Sequence, residues 1–337
     1  MSYNRTLVLG AGNFGTCLAH HLARKGEDVT LWARDKNIVS AINNDHRNPS
    51  YLTKISLAPT LKAIDNLDEN RLSNFNVIVI AIPTQFMRKA LETFSHHINS
   101  ETLIVCASKG IEIGSLKMPI SIVEEMIPQV SLSQIGIISG PSFAIEVAQD
   151  MPTSVSIAST DANTAKAIQK IFHTGSFRAY TSSDPIGLEV AGALKNVIAI
   201  ASGAASGLGM ENNALAALLT RGLAEITRVG VALGSNPVTF SGLGGVGDLF
   251  LTCTSDKSRN FRVGRMIGQG KTLESVTNNL GSIAEGVATA KSAHQLAKKL
   301  NVDTPIINTV YSVIYDKKPL QQAVKELFER EMKAEIT

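Results

Sequence analysis

The sequence predicts an α/β chain in two parts: a doubly wound, mostly parallel sheet over residues 1–183, then an all-helical region over 184–337. Two observations carry this. Short apolar runs alternate with amphipathic helical stretches through the first half, and the runs stop after Asp184. The runs are continuous rather than alternating, as a sheet covered by helices on both faces requires. The αβ pattern does not recur in the second half, and no internal repeat is present.

Taken in order, TLVL at 6–9 reads as a buried strand, followed by GAGNFG at 10–15 and an apolar helix over 16–24. DVTLW at 28–32 is the second strand. NVIVIAI at 76–82 is another, stopped by Pro83, which cannot continue a sheet ladder. Strands follow at 102–107, 134–138 and 153–158, with amphipathic stretches such as 87–97 and 116–127 between them. Helices are then expected at 185–205, 213–233, 258–268, 287–300, 305–315 and 319–333. Pro185, Pro305 and Pro319 stand where helices start, and Ser182-Ser183-Asp184 offers N-caps for the first.

Of the 337 residues, 44% are hydrophobic and 18% charged, which fits a well-cored protein rather than disorder. A net charge of +3 without a basic run argues against a nucleic-acid partner. Cys17, Cys106 and Cys253 are far apart and odd in number, with no disulfide framework or metal-ligand spacing, so no metal is expected. The N-terminus leads straight into a strand without the apolar segment of a signal peptide. No uncharged apolar stretch reaches the roughly twenty residues of a membrane span. A cytoplasmic protein is expected.

One lysine stands out. Lys195 lies in GLEVAGALKNVIAIA, a helical stretch that is almost wholly small or apolar and reads as buried on most sides. A buried ammonium must find partners or lose its proton. The alternatives are a lysine that snorkels to the surface or pairs with Glu189.

The glycine string gains meaning from its setting. Gly10, Gly12 and Gly15 follow a strand and open a helix, with a second strand at the right distance, which is the context of a dinucleotide-binding, Rossmann-like turn. The helix N-terminus then presents N–H groups to a pyrophosphate. After the second strand comes Trp32-Ala33-Arg34-Asp35. Small Ala33 with Arg34 leaves room and charge for a 2′-phosphate, so NADP(H) is slightly favoured over NAD(H). Asp35 argues the other way, since a carboxylate there would hold the ribose 2′-hydroxyl.

Polar residues gather at the ends of apolar elements: Lys109 in ASKGIE, Ser142 in SGPSFA, Asp248 in GLGGVGDL, and Arg259-Asn260 in KSRN. Singly, each reads as a loop charge, a cap or a helix start. Together GAGNFG, ASKGIE, SGPSFAIEV, GALKNVIAI, TRGLAEITRVG, GLGGVGDLFLTCT, SRN and AEG occur in one order. The chain therefore resembles the bacterial-type NAD(P)-dependent sn-glycerol-3-phosphate dehydrogenases, over about residues 6–315. The resemblance implies a Rossmann-like domain at 1–183 and an all-α domain of the 6-phosphogluconate-dehydrogenase-like type at 184–337. The implied reaction is reversible reduction of dihydroxyacetone phosphate to sn-glycerol 3-phosphate for glycerophospholipid biosynthesis, by a homodimer.

Carried onto matching positions, the resemblance makes Lys195 the proton donor and acceptor, with Asn196 and Thr252 as supporting polar groups. Lys109, Gly140, Ser142, Asp248, Ser258, Arg259 and Asn260 are implied substrate or shared contacts. Asn13, Phe14, Arg34, Lys109, Ala144, Arg259, Ile283 and Glu285 are implied cofactor contacts, beside the three loop glycines. Departures are mild: Phe14 where Tyr is frequent, Ser142 where Thr is common, and Ala284 in place of a common valine. Two rival readings stand beside this one. One is a related 3-hydroxyacid or 6-phosphogluconate dehydrogenase, which shares the Lys-Asn pair. The other is a non-catalytic NADP(H)-sensing regulator, which has no reason to keep Lys195, Lys109, Asp248 and Arg259 together.

Overall fold

The structure is a computed structural model and describes residues 5–67, 72–280, 284–332 and 334–335. Its first part is built from β1 (Arg5–Leu9), α1 (Asn13–Lys25), β2 (Asp28–Trp32), α2 (Lys36–Asp45), β3 (Lys62–Ile64), β4 (Val77–Ile80) and α3 (Thr84–Glu92). It continues with β5 (Leu103–Cys106), α4 (Pro119–Met126), β6 (Ile135–Ser139), α5 (Ala144–Ala148), β7 (Thr153–Ser159), α6 (Ala162–Phe172) and β8 (Phe177–Ser182). The strands form one sheet in the order β3-β2-β1-β4-β5-β6-β7-β8. Every neighbouring pair is parallel except β6 and β7, which are antiparallel.

The continuous apolar runs are explained by burial on both faces. β4, β5 and β6 are buried at every residue. On one face Val8, Leu31, Val79 and Val105 pack with Leu18 and Leu22 of α1. On the other, Leu7, Ile78 and Ile104 pack with Met87 and Leu91 of α3 and Ile122 and Val123 of α4. The two edge strands escape notice in the sequence for clear reasons. β3 spans three residues, and β8 alternates buried and exposed positions as FRAYTS.

Several boundaries differ from expectation. α4 starts at Pro119 rather than at 116, because Leu116 sits at φ 60°, outside the right-handed helix. The helix expected over 87–97 is α3, ending at Glu92, followed by a separate 3₁₀ turn at Ser95–His97. His20 and His21 are buried in α1. His20 Nδ1 accepts from the Ala58 N–H, and burial lowers its pKa to about 4, so it stays neutral and can accept. The three cysteines are all buried, and burial raises each thiol, Cys17 to about 12.

The second part is helical: α7 (Pro185–Gly207), α8 (Asn212–Ala232), α9 (Asp248–Cys253), α10 (Arg259–Gly268), α11 (Leu273–Leu280), α12 (Glu285–Lys299), α13 (Pro305–Tyr315) and α14 (Leu320–Phe328). Among the described residues α7 alone is long and apolar enough to cross a membrane, but 89% of its apolar window is buried inside the protein. It is the axis around which most of the other helices of this part pack, with Val197 and Ile198 set against Ile226, Val229, Ala290 and Ile307.

Asp184 fixes where α7 begins. Its carboxylate accepts from the Gly187 N–H, as an N-cap, and from Ser235 Oγ, the Asn236 N–H and Thr239 Oγ1. A second constraint fixes how α10 meets α7. A methyl on Gly264 would lie 1.9 Å from the Ile200 carbonyl oxygen, and one on Gly203 2.0 Å from that of Phe261. The two helices thus touch backbone to backbone, which only glycine permits, and the first turn of α10 is carried close to Lys195.

Gly264→Ala is expected to destabilise the fold by about 3 kcal/mol, since backbone rather than a side-chain tip must move, as read from urea unfolding. Asp184→Ala is expected to lose about 2 kcal/mol. Burial raises the Asp184 pKa, but the donors from Ser235, Thr239 and the two N–H groups outweigh it and leave it below the usual value. Its stabilisation is therefore full above the ordinary aspartate range and is lost as pH falls through the lowered pKa. Acid unfolding of the Asp184→Ala variant should lack that component.

Candidate active site

A cleft of about 360 Å³ opens between the glycine loop, the carboxyl ends of β4 and β5, and the helices α7, α9 and α10. Ligands bind at such carboxyl ends in doubly wound sheets. The sheet side supplies Asn13 and Phe14, Ala107 to Lys109, and Ser142 to Ile145. The helical side supplies Lys195 and Asn196 from α7, Asp248 and Thr252 from α9, and Ser258 to Asn260 at the start of α10. Glu285, the first residue of α12, completes the wall.

At its centre one carboxylate bridges two ammonium groups. Lys195 Nζ donates to Asp248 Oδ1 at 2.5 Å and to Thr252 Oγ1 at 2.9 Å, while Lys109 Nζ donates to Asp248 Oδ2 at 2.7 Å. Thr252 Oγ1 in turn donates to the Asp248 carbonyl oxygen at 2.6 Å. Lys195 is 7% exposed and Asp248 1%, so Lys195 does not snorkel. Nor does it pair with Glu189, whose carboxylate accepts from the Ile120 N–H instead. Burial lowers the Lys195 pKa to about 8, with Lys109 adding to the drop and Asp248 opposing it. Burial works to raise Asp248, but the two lysines outweigh it and hold its carboxyl below the usual range.

Local structure explains how these groups meet. The turn at Leu243–Gly247 carries the chain into α9, with Gly244 facing Leu188 of α7, where a methyl would lie 2.3 Å from Leu188 Cδ2. That close approach sets Asp248 and Thr252, one turn apart on α9, against Lys195. Gly192, one turn before Lys195, leaves space beside the Lys109 stem and Ser139 Oγ.

The glycine loop has the shape a dinucleotide needs. Gly10 stands at φ 109°, and a methyl on Gly15 would fall 1.8 Å from the Gly10 carbonyl oxygen. At Gly12 a methyl would meet nothing within 4 Å, and no side chain caps the α1 N-terminus. The first N–H groups of α1 are therefore available to a pyrophosphate. The residues present fit a nicotinamide dinucleotide.

The structure brings most of the sequence-derived residues into this cleft, with qualifications. Gly10, Gly12 and Gly15 shape its floor rather than line it, and Gly140, at φ 144° against Val155, shapes the turn before Ser142. Ser258 caps α10 through the Phe261 N–H at 3.3 Å. Asn260 Oδ1 accepts from the Gly286 N–H at 3.0 Å, tying α10 to the start of α12. Burial in the cleft raises the Glu285 carboxyl to about 7 against the pull of Lys109, Lys195 and Arg259. Arg34 is exposed at the end of β2, outside the cleft lining, and Asp35 caps α2 through the Asn37 N–H at 2.8 Å. Ile283 lies outside the described residues.

Sequence reasoning missed Leu52, Phe143 and Lys257, which also line the cleft. No motif marked Leu52. Lys257 sits beside the recognised SRN string and reaches across the mouth to Glu146 at 2.5 Å. A larger groove, about 760 Å³, runs between α8, α13 and α14, but its lining is mainly apolar. Its buried acid, Glu225, is spent on the Ile306 and Ile307 N–H groups at the start of α13.

Known proteins share this arrangement over the whole chain. The family model of the NAD-dependent glycerol-3-phosphate dehydrogenase N-terminus matches residues 6–165, and that of the C-terminus matches 184–325. A glycerol-3-phosphate dehydrogenase (NAD(P)+) of Anaeromyxobacter sp. (strain K) is 46% identical over 332 residues, covering 98% of this chain and 100% of that protein. The crystal structure of glycerol-3-phosphate dehydrogenase from Coxiella burnetii superposes with a TM-score of 0.92 at 36% identity, over 97% of this chain and 99% of that one. The Saccharomyces cerevisiae glycerol-3-phosphate dehydrogenase gives 0.80 at 28% identity, over 97% and 99%. A D-mandelate dehydrogenase at 14% identity and a TM-score of 0.60 shares the fold alone. This chain belongs to the NAD-dependent glycerol-3-phosphate dehydrogenase family.

Proposed function

We propose that the chain reversibly reduces dihydroxyacetone phosphate to sn-glycerol 3-phosphate with NADP(H) or NAD(H), supplying glycerophospholipid synthesis. The observation that carries this reading is the pair of lysines on one buried aspartate, set in a cleft floored by a dinucleotide loop.

A reduced nicotinamide, when bound, supplies the hydride. The protein positions the substrate and manages charge. In reduction, negative charge develops on the C2 carbonyl oxygen. Lys195 hydrogen-bonds that oxygen and delivers a proton to it, giving the hydroxyl and a neutral amine. In oxidation the neutral amine takes the hydroxyl proton back. Asp248 and Thr252 both accept from Lys195 Nζ and hold it in place, so the ammonium does not have to be ordered during the reaction. Lys109 shares Asp248 and adds positive charge near the same point. Arg259, with Asn260 and Ser142, faces the cleft where the phosphate dianion sits, and a guanidinium binds such a group through two parallel bonds.

A slight preference for NADPH follows from the end of β2. Asp35 is committed to capping α2, which leaves Arg34 as the charge nearest a 2′-phosphate. We assign residues 1–183 to nucleotide binding and 184–337 to substrate binding and catalysis. A cytoplasmic homodimer is the working form in this reading. The half-exposed apolar face of α8 around Ala214 and Leu218 supports the dimer.

Lys195→Ala is expected to lower kcat by about 10³-fold, with NADPH affinity retained. Normal turnover, followed by reduced-nicotinamide absorbance with dihydroxyacetone phosphate, would remove Lys195 from the chemistry. Arg259→Ala should cut kcat/KM for dihydroxyacetone phosphate by about 100-fold; an unchanged value places the phosphate elsewhere. The protonated fraction of Lys195 falls as pH rises through about 8. Reduction should therefore lose kcat/KM above that pH, and oxidation should gain it. A reduction profile flat across this range assigns the proton to another group.

A further inference from the structure

The chain between α2 and β3 folds back over the glycine loop, and Asn48 at its root is wholly buried. All four bonds of its carboxamide are made. Nδ2 donates to the Ala11 carbonyl oxygen at 3.1 Å and to Thr16 Oγ1 at 2.9 Å. Oδ1 accepts from the Ser50 and Tyr51 N–H groups at 3.0 and 3.1 Å. The far end of this loop is also tied down, by the Leu57 N–H on the His46 carbonyl and the Ala58 N–H on His20. Between the ties stands Leu52, held at φ 53°, a conformation unusual for a side chain of its size. It lines the same cleft as Asn13 and Phe14.

Two consequences follow. The Ala11 carbonyl and the Gly12 N–H belong to one planar trans peptide and point in opposite directions. By drawing the carbonyl toward the loop root, Asn48 turns the Gly12 N–H to the opposite side. The same side chain fixes the turn at Ser50 and Tyr51 that delivers Leu52 to the cleft. Backbone strain of this kind persists where the surroundings over-determine it, and it clusters at ligand sites.

We infer that Asn48 is a positioning residue for the dinucleotide, aiming the Gly12 N–H at the pyrophosphate and holding Leu52 as a wall of the nucleotide cleft. This rests on the nicotinamide-dependent reading above. It accounts for a fully buried, fully bonded amide that touches no reacting group, and for a strained leucine outside every glycine-loop motif.

Asn48→Ala and Leu52→Ala test it in the intact chain. NADPH affinity is read without substrate, by energy transfer from Trp32, the one tryptophan of the sequence. Asn48→Ala is expected to raise the NADPH Kd about tenfold, and Leu52→Ala about threefold. KM for dihydroxyacetone phosphate at saturating NADPH should stay within about twofold in both, because a positioning role acts on one ligand only. The inference is overturned if both variants bind NADPH as the parent does. It is equally overturned if Asn48→Ala weakens nucleotide and substrate alike, the pattern of general loosening. Should Asn48→Ala fail to fold, Asn48→Asp, which keeps the bonds from the Ser50 and Tyr51 N–H groups but gives up the Nδ2 donations to Ala11 and Thr16, is judged by the same two readings. Failure of the parent protein to oxidise NADPH with dihydroxyacetone phosphate sinks the functional reading, while the binding comparison still stands by itself.

Discussion

The structure is organised around the burial of one ammonium group. Lys195 sits on a helix enclosed on nearly every side, where an isolated charge is strongly disfavoured. Asp248 makes that burial tolerable, but an aspartate so deep also needs compensation, and a single lysine would leave one of its oxygens unpaired. Lys109 takes that second oxygen. The three residues come from the loop just after β5, the middle of α7 and the start of α9. No one of them can be satisfied unless the sheet and both helices are in place. Removing one partner leaves a buried charge uncompensated, which is more damaging than the modest net gain from forming the pair.

Backbone approach serves the same end. The glycine pairs between α7 and α10 set Arg259 and Asn260 beside the lysine helix, and Asn260 then holds the first turn of α12 through Gly286. A methyl on Gly286 would itself lie 2.7 Å from the Asn196 carbonyl oxygen. The cleft wall is therefore a chain of contacts in which small residues set the distances and polar residues fix the directions. Asp184 at one end of α7 gives this assembly a defined start.

Much of this was legible in the sequence, for identifiable reasons. The central strands are continuous apolar runs, and the glycine loop lies in the one context that gives it meaning. Lys195 was conspicuous because a charge in an apolar helix violates the local pattern. What sets its proton affinity was not legible, since Lys109 and Asp248 are 139 residues apart along the chain and share no periodicity. The edge strands β3 and β8 were too short or too regularly half-exposed to stand out. Leu52 and Asn48 carried no signal because their importance lies in a backbone angle and in contacts across the fold. His20 and His21 show how a helix buried on most sides accommodates polar residues that find backbone partners.

The charge balance of the cleft ties these features to the chemistry. Lys109, Lys195, Arg259 and Lys257 face it, against the Asp248 and Glu285 carboxyls, and Glu146 meets Lys257 at the mouth. Asp248 is shared between two lysines and cannot neutralise both. The surplus favours an anionic substrate, while burial, aided by Lys109 and opposed by Asp248, lowers the proton affinity of Lys195. In the proposed reaction, a phosphate dianion held by Arg259 would oppose that drop, since a nearby negative charge favours the protonated amine. On that reading, binding the substrate helps Lys195 keep the proton it is proposed to give to the carbonyl oxygen. In the proposed reaction, the positive field that attracts the substrate and the acid that completes its reduction come from one group of side chains.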